Sequence, residues 1–292
     1  MEPSKILRVQ PSEDYALLDS GDGMKLERYG AFVLARPDPQ ALWHRLSDES
    51  EWVRAHAQFT RNGKEGEWHI RPETPRSWTI SYAGLTFSIR PTSFKHTGLF
   101  PEQKAHWDWF RGLIRNAGRP IKVLNLFAYT GGASLAAAEA GAFVTHVDAS
   151  KVSNAWAKEN ARLSNIPADG IRFITDDVLA FVEREIRRGS KYDAIIMDPP
   201  AFGRGPKGEV WRIEESLAPL IEKTMQLLCP TPLFFLMSGY AAGYSPMTFE
   251  NMIRPLCESR HGTVSSGEIA LVEIHDGAER PLACGMYARS IF

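Results

Sequence analysis

Apolar and polar positions alternate in two different ways along this chain, and the change falls near residue 92. Upstream, short runs of strand-like alternation are separated by turn residues: Tyr15 to Leu18, Lys25 to Tyr29 and Ala31 to Ala35, with Asp22-Gly23 between the first two. Trp78 to Tyr82 and Leu85 to Ile89 alternate around Ala83-Gly84. Turn pairs of this kind between alternating runs predict β-hairpins. Residues 36–76 are polar, rich in Pro and Trp, and predict no clear element. Phe94 to Gln103 reads as a connecting loop. Apolar spacing at Trp107, Phe110, Leu113 and Ile114 then predicts a helix, stopped by Gly118 and Pro120.

Downstream the period changes. Buried-type strands at 121–127, 143–148, 171–175, 192–197 and 233–237 are followed by helical patterns at 133–141, 151–164, 178–188, 214–228 and 246–258. Two more strand-like runs, near 263–273 and 282–290, have no helix between them and predict an antiparallel hairpin at a sheet edge. Strands separated by helices predict a parallel, doubly wound sheet with right-handed crossovers. The expected organisation is a small β-rich domain over 1–92 and an α/β domain over 93–292.

Composition narrows the function classes. The 292 residues are 43% hydrophobic and 24% charged, with a formal net charge of −1. That balance is ordinary for a globular protein. It advertises no global affinity for nucleic acid, so such a partner must be met by a local patch. The three cysteines, Cys229, Cys257 and Cys284, show no paired spacing. Neither a zinc site nor a disulfide framework is expected, and a cytoplasmic location is. No stretch is apolar for long enough to cross a bilayer, and the first residues lack a signal-peptide core.

The candidate chemistry begins at Ile121 to Gly132, where an apolar strand breaks into Ala128-Tyr-Thr-Gly-Gly132 and a helix starts at once. In open α/β sheets ligands bind at this turn, outside the strand ends. A pyrophosphate cradle needs G-x-G-x-x-G. This turn has two glycines and a bulky Tyr129, which disfavours a nicotinamide dehydrogenase and suits an adenosine carrying a small zwitterion, such as S-adenosylmethionine. Asp148 ends the second strand about 20 residues later, where a carboxylate accepts from ribose hydroxyls. The alternative is a helix cap, a role that also fits Ser150. Asp176 and Asp177 end the third strand; one can reach an adenine amine while the other caps the next helix, with Asp177 favoured for the ligand.

Asp198-Pro-Pro-Ala-Phe202 follows the fourth strand. Two prolines fix the backbone and remove two N–H donors. What remains is acceptor-rich, namely the Asp198 carboxylate and the Pro199 carbonyl, beside the flat apolar face of Phe202. An extruded base is held by stacking and by its edge, so these residues suit a base-modifying pocket. The same tripeptide also serves as an ordinary strand-ending turn. Arg204, Lys207 and Arg212 in the next loop offer phosphate contacts and Trp211 a stacking surface, with a solvated lid as the plain alternative.

At Lys95-His-Thr-Gly-Leu-Phe-Pro-Glu-Gln103, Asn125-Leu-Phe-Ala-Tyr-Thr-Gly-Gly132, Val144 to Asp148 and Asp198 to Gly203 the chain resembles class I S-adenosylmethionine-dependent methyltransferases, in the branch that holds bacterial 23S rRNA large-subunit methyltransferases. The resemblance covers roughly residues 93–240. It implies a Rossmann-like, seven-stranded, mainly parallel sheet flanked by helices, and methyl transfer to RNA. It implies cofactor contacts at Phe100 and Gln103, at Asn125 and Phe127 to Gly131 (Phe127, Ala128, Tyr129, Thr130, Gly131), at Asp148, Ala149 and Ser150, at Asp176 and Asp177, and at Asp198. Asp198, Pro199 and Phe202 are the expected catalytic residues, with no metal. Relatives that methylate cytosine C5 carry a Ser-Cys pair after the fifth strand, where this chain reads Met237-Ser-Gly-Tyr240. The expectation is therefore direct transfer to a base nitrogen of RNA. The alternatives are a protein or small-molecule acceptor, and a binding module without catalysis.

Overall fold

The structure, a computed structural model, describes residues 5–62, 65–92, 95–240 and 243–292 of the 292. Phe94, the first residue of the expected connecting loop, lies outside the described residues. Contacts divide the chain into two compact units, one of Arg8–Lys104 with Ala270–Cys284, the other of Ala105–Ile269 with the chain ends. The expected division at 92/93 and this one do not coincide. Residues 95–104 go with the smaller unit, where the Tyr82 hydroxyl donates to the Pro101 carbonyl (2.9 Å) and Arg36 donates to the Lys95 carbonyl (2.9 Å).

In chain order the first strands are β1 (Lys5–Val9), β2 (Tyr15–Gly21), β3 (Met24–Tyr29) and β4 (Phe32–Pro37), followed by helix α1 (Glu49–Val53). Strands β5 (Ala57–Asn62), β6 (Glu65–Ile70), β7 (Trp78–Tyr82) and β8 (Leu85–Ile89) complete this part. Strands β2 to β6 form one sheet in sequence order, antiparallel except where β4 runs parallel to β5; β7 and β8 form a separate hairpin. Both expected hairpin turns are present, with left-handed Asp22 and Gly23 in one and Ala83 and Gly84 in the other. That backbone twist matches the twist of the flanking strands. Residues 36–76, which predicted no element, supply α1, β5 and β6. The buried centre of this unit is polar as well as apolar. Glu27, fully buried, accepts from Tyr15 (2.8 Å) and from Arg36 Nε (2.7 Å), so its charge is paired and hydrogen-bonded, as burial of an ion requires.

The larger unit follows the expected alternation closely. Helix α2 (Lys104–Arg115) precedes β9 (Lys122–Leu126) and α3 (Gly132–Glu139). Then come β10 (Phe143–Asp148), α4 (Lys151–Leu163), β11 (Ile171–Thr175), α5 (Val178–Arg187) and β12 (Ala194–Met197). A short hairpin of β13 (Phe202–Arg204) and β14 (Val210–Arg212) leads to α6 (Ile213–Met225), β15 (Phe234–Gly239) and α7 (Pro246–Glu258). Strands β16 (Thr263–His275) and β17 (Ala278–Ile291) end the chain.

The large sheet has the order β1-β16-β17-β15-β12-β9-β10-β11. Strands β9 to β12 and β15 pair in parallel, and β17 runs antiparallel to β15. The Rossmann-like expectation holds, with eight strands instead of seven. The added strand is β1, whose Lys5-Ile-Leu-Arg-Val9 shows neither a clean alternation nor an unbroken apolar run. The chain winds outward from β9 through β10 to β11, then crosses back to place β12 on the other side of β9. That reversal opens a crevice outside the carboxyl ends of β9 and β12, the position where such sheets bind ligands. No described helix is long and apolar enough to cross a membrane.

The second glycine of the Gly-Gly turn is explained by packing. A Cβ on Gly132 would stand 2.5 Å from Cζ2 of Trp107, a ring on α2 that is 2% exposed and has no room to move. We expect Gly132→Ala to lower unfolding free energy by about 1–3 kcal/mol, the usual range for overpacking, read as a lower urea midpoint with unchanged slope.

Candidate active site

The carboxyl ends of four adjacent parallel strands carry the expected residues. The register pairs Leu126 with Val147 on one side and with Met197 on the other, and pairs Asp148 with Thr175. Asp198, Phe127, Asp148 and Asp176 therefore follow one another in that order along a single sheet edge, on strands about 4.8 Å apart.

The turn after β9 has an unusual backbone. Phe127 and Tyr129, neither of them glycine, both take left-handed conformations (φ 55° and 49°), and Gly131 follows at φ 92°. Left-handed backbone in bulky residues costs on the order of 1–3 kcal/mol each and persists only where the surroundings impose it. The imposing contacts are explicit. The Ala128 amide donates to the Val147 carbonyl (3.1 Å), the Tyr129 amide to Asp148 Oδ2 (2.7 Å), and Asn160 Nδ2 to the Thr130 carbonyl (3.0 Å). Asn125 stays beneath the turn, buried: its amide donates to Ser134 Oγ (2.9 Å), which lies 2.9 Å from His146 Nδ1. Burial pushes the His146 ring down to about 3, so it is neutral.

Asp148 is the hub. Its Oδ1 accepts from the Ser150 amide (2.8 Å) while Oδ2 holds Tyr129. Desolvation raises its pKa and the two amides oppose the rise. Each oxygen keeps a further lone pair. Ser150 caps α4, its hydroxyl accepting from the Ser153 amide (3.1 Å), and Ala149 lies between the two. Asn154 of the same helix donates to the Asp148 carbonyl (3.0 Å) and to Thr175 Oγ1 (3.0 Å), which fixes β10 against β11. Asn154 and Asn160 were not expected to matter. The available signal was that Asn160 falls on the buried stripe of α4 with Ala157 and Ala161.

At the end of β11 the two acidic residues separate. Asp177 caps α5, with Oδ1 accepting from the Ala180 amide (2.9 Å). Of the two roles left open for it, the cap is the one its geometry displays. Asp176 accepts from the Asp177 amide (3.0 Å) and pairs with the Arg184 guanidinium.

After β12, Asp198 is partly exposed and Pro199 is buried. Desolvation pushes the Asp198 carboxyl up to about 6, against a lowering hydrogen bond from Ser238. Phe202 is 56% exposed, and Arg204 and Lys207 are exposed on the same hairpin, while Arg212 lies 3.4 Å from Glu215. The expectation that Trp211 offers a free stacking surface is not met. Its ring is buried against Phe127 (centroids 4.8 Å apart) and its indole N–H donates to the Pro200 carbonyl (2.6 Å). An indole that can satisfy its one donor on a neighbouring carbonyl is more stable buried than stacked in water. Trp211 thus clamps the hairpin onto the Asp-Pro-Pro turn. Phe100 and Gln103 belong to the smaller unit. There the Phe100 ring lies 5.3 Å from His96, and Gln103 ends a short 3₁₀ turn over Pro101–Gln103.

The sign of the Asp198 shift gives a stability test. A carboxyl held at about 6 when folded, against about 3.9 when unfolded, binds its proton more tightly in the native state. Its contribution is complete below the unfolded value and is lost as pH rises through about 6. We expect Asp198→Asn to be more stable than the natural protein at pH 7.5, by on the order of 1–3 kcal/mol, with the difference gone at pH 4; denaturant titrations at the two pH values measure it.

A family profile of the S-adenosylmethionine-dependent methyltransferases matches residues 47–232. A solved S-adenosylmethionine-dependent methyltransferase from Agrobacterium tumefaciens is 40% identical, with a TM-score of 0.95 over 99% of this chain and 94% of that one. A structure from Streptococcus mutans described as a putative methyltransferase of the same kind shares the fold at 20% identity, with a TM-score of 0.70 over 96% of this chain and 76% of that one. Among curated proteins, the ribosomal RNA large subunit methyltransferase K/L of Shewanella sp. (strain MR-4) is 33% identical over 150 residues, 50% of this chain and 20% of that protein. The match thus spans about a fifth of that relative's length. With the family profile covering more than half of its residues, the chain belongs to the S-adenosylmethionine-dependent methyltransferases.

Proposed function

We propose that this methyltransferase acts on RNA, ribosomal RNA in particular, and transfers the methyl group directly to a base nitrogen. One observation carries the reading: an acceptor carboxylate, Asp198, stands on a proline-fixed turn next to an exposed aromatic face, Phe202, at the switch point of the sheet. The partial match to ribosomal RNA methyltransferases supports the acceptor class.

The residues fit the cofactor. Asp148 offers two oxygens, each with an amide donor already on one lone pair and another lone pair left for a vicinal ribose hydroxyl. The left-handed turn over Phe127 to Gly131 faces the same edge, and Ala149, Ser150, Asp176 and Asp177 line its far side in this reading. Phe100 and Gln103 join the cofactor contacts on the strength of the resemblance alone. Bound there, S-adenosylmethionine supplies a methyl group on a sulfonium, already a good leaving group.

The protein's own contribution is placement. Phe202 stacks on the acceptor base, and Asp198 with the Pro199 carbonyl accepts from its amino hydrogens, which turns the nitrogen lone pair towards the methyl carbon. With the cofactor bound, formation of the N–C bond would accompany breakage of the C–S bond, and the chain's part would be to hold nitrogen and methyl carbon in line. The proton displaced from nitrogen passes to the Asp198 carboxylate and then to solvent. Covalent attack by a thiolate has no support here. Cys229 lies before β15, at that strand's amino end, with its thiol 3.3 Å from Asp193; burial pushes the Cys257 thiol up to about 11 and raises that of Cys284 as well.

Mass spectrometry of RNA nucleosides from cells with and without the gene tests the acceptor. One methylated base should disappear without it; an unchanged nucleoside profile moves the reading to a protein or small-molecule acceptor. Asp148→Asn should weaken S-adenosylmethionine binding by about 10-fold or more in calorimetry, the scale of one charge-assisted hydrogen bond. Asp198→Ala should keep that affinity and lose about 100-fold or more of transfer, whereas a pure binding module would bind the cofactor and transfer nothing in either form. Because the anionic form accepts, log kcat/KM should rise with unit slope to about pH 6 and stay level above it, and a level profile from pH 5 to 8 would count against Asp198.

A further inference from the structure

We propose that Ser238 is a positioning residue for this reaction: its hydroxyl, delivered by β15, fixes the rotation of the Asp198 carboxyl so that one oxygen is held and the other is turned to the acceptor nitrogen. The inference rests on the reading of Asp198 given above.

Strand β15 is buried along its whole length, and Phe234, Phe235, Leu236 and Met237 precede Ser238 as an unbroken apolar run. Ser238 is 2% exposed. A hydroxyl in that setting needs a partner. The parallel register of β12 and β15 pairs Met197 with Met237. The next residues along, Asp198 and Ser238, are therefore side by side, about 4.8 Å apart in the sheet, and their side chains leave the same face. The Ser238 hydroxyl donates to the Asp198 carboxylate.

The need for such a donor follows from rotamer physics. The terminal torsion of Asp is broad and roughly two-fold, so backbone geometry fixes the carboxyl carbon and leaves the oxygens free to rotate. The two prolines remove the N–H groups one and two residues on, the second of which, at Asp148, is the Ser150 amide that holds an oxygen. The adjacent strand supplies a donor in their stead. On the other side of β15, Tyr287 of β17 stands across from Ser238. Among the described residues the Tyr287 hydroxyl has no hydrogen-bond partner, so it does not compete for the serine. The titratable or charged groups on surrounding elements include Asp148 on β10, Lys122 on β9, Glu250, Arg254 and Glu258 on α7, Tyr240 just past β15, Arg289 on β17 with its guanidinium 5.1 Å from the centre of the Tyr287 ring, and His106 on α2, whose ring lies 5.1 Å from that of Tyr287. Burial keeps His106 neutral at about 3. None of these groups is among the causes of the Asp198 shift, which are desolvation and the serine.

The test is a carbon NMR titration of protein labelled at the Asp side-chain carboxyl, with Asp198 assigned by its loss in Asp198→Asn. The natural protein should titrate near 6. Ser238→Ala should move the midpoint up by about one pH unit, Ser238→Thr should return it, and Tyr287→Phe should leave it in place. In the transfer assay the acid limb should move with the midpoint, kcat should fall several-fold, and KM for S-adenosylmethionine should be unchanged. An unmoved midpoint in folded Ser238→Ala overturns the proposal. Should that variant fail to fold, Ser238→Cys, with its weaker S–H donor, must also raise the midpoint, and an unmoved value there overturns the proposal equally. The titration needs no acceptor. A raised midpoint in a protein that leaves RNA untouched would defeat the RNA reading alone, and an unmoved midpoint in an active RNA enzyme would defeat this one alone.

Discussion

The Asp148 carboxylate holds together two strand ends and a turn that is strained by itself. One oxygen takes the amide of Tyr129 and the other that of Ser150. Without the first bond, the left-handed Tyr129 is opposed from relaxing only through the bonds of its neighbours Ala128 and Thr130. Without the second, the start of α4 loses its tie to the end of β10. The same oxygens retain lone pairs toward the crevice. In the proposed function one group therefore serves both the turn and the cofactor, and burial raises its pKa while the amide donors keep the anion tolerable.

The acceptor side uses the opposite device. Prolines at 199 and 200 strip the turn of donors, and the fold supplies others from outside it. Trp211 donates to the Pro200 carbonyl and Ser238 to the Asp198 carboxylate. The turn is stiff because its own backbone is restricted and because residues remote in sequence hold its oxygens. Phe202 is left exposed as a consequence, since its neighbour in the hairpin, Trp211, takes the interior place. One aromatic of the pair packs and the other presents a face.

Much of this was legible in the residue pattern. The strand–helix alternation from 121 onward, the two N-terminal hairpins and the row of acidic strand ends all follow from periodicity and turn chemistry, which are local properties. Residues 36–76 were not legible, because α1 is five residues long and β5 and β6 are stabilised by pairing in their sheet and not by a pattern of their own. Strand β1 escaped for the same reason. Trp211 was read as a stacking surface because the sequence shows its chemistry without showing Pro200 close enough to accept its N–H. Asn125 looked like a ligand contact, and its amide is instead engaged beneath the turn.

By itself the chain determined the order of elements, the doubly wound topology and the presence of carboxylates at successive strand ends, since these depend on hydrophobic period and on breakers a few residues apart. Tertiary structure alone decided which of those polar groups are already engaged. Gly132 packed against Trp107 depends on helix docking and Ser238 beside Asp198 on strand register, while Asp177 as a cap and Asp176 paired with Arg184 are settled at the start of α5. The Gly132–Trp107 and Ser238–Asp198 relations join residues far apart in sequence, and the Asp177 and Asp176 contacts, though local, choose between two adjacent carboxylates that the pattern leaves equivalent; hydrogen bonds and steric contacts act over a few ångströms in space, a distance that local pattern does not encode.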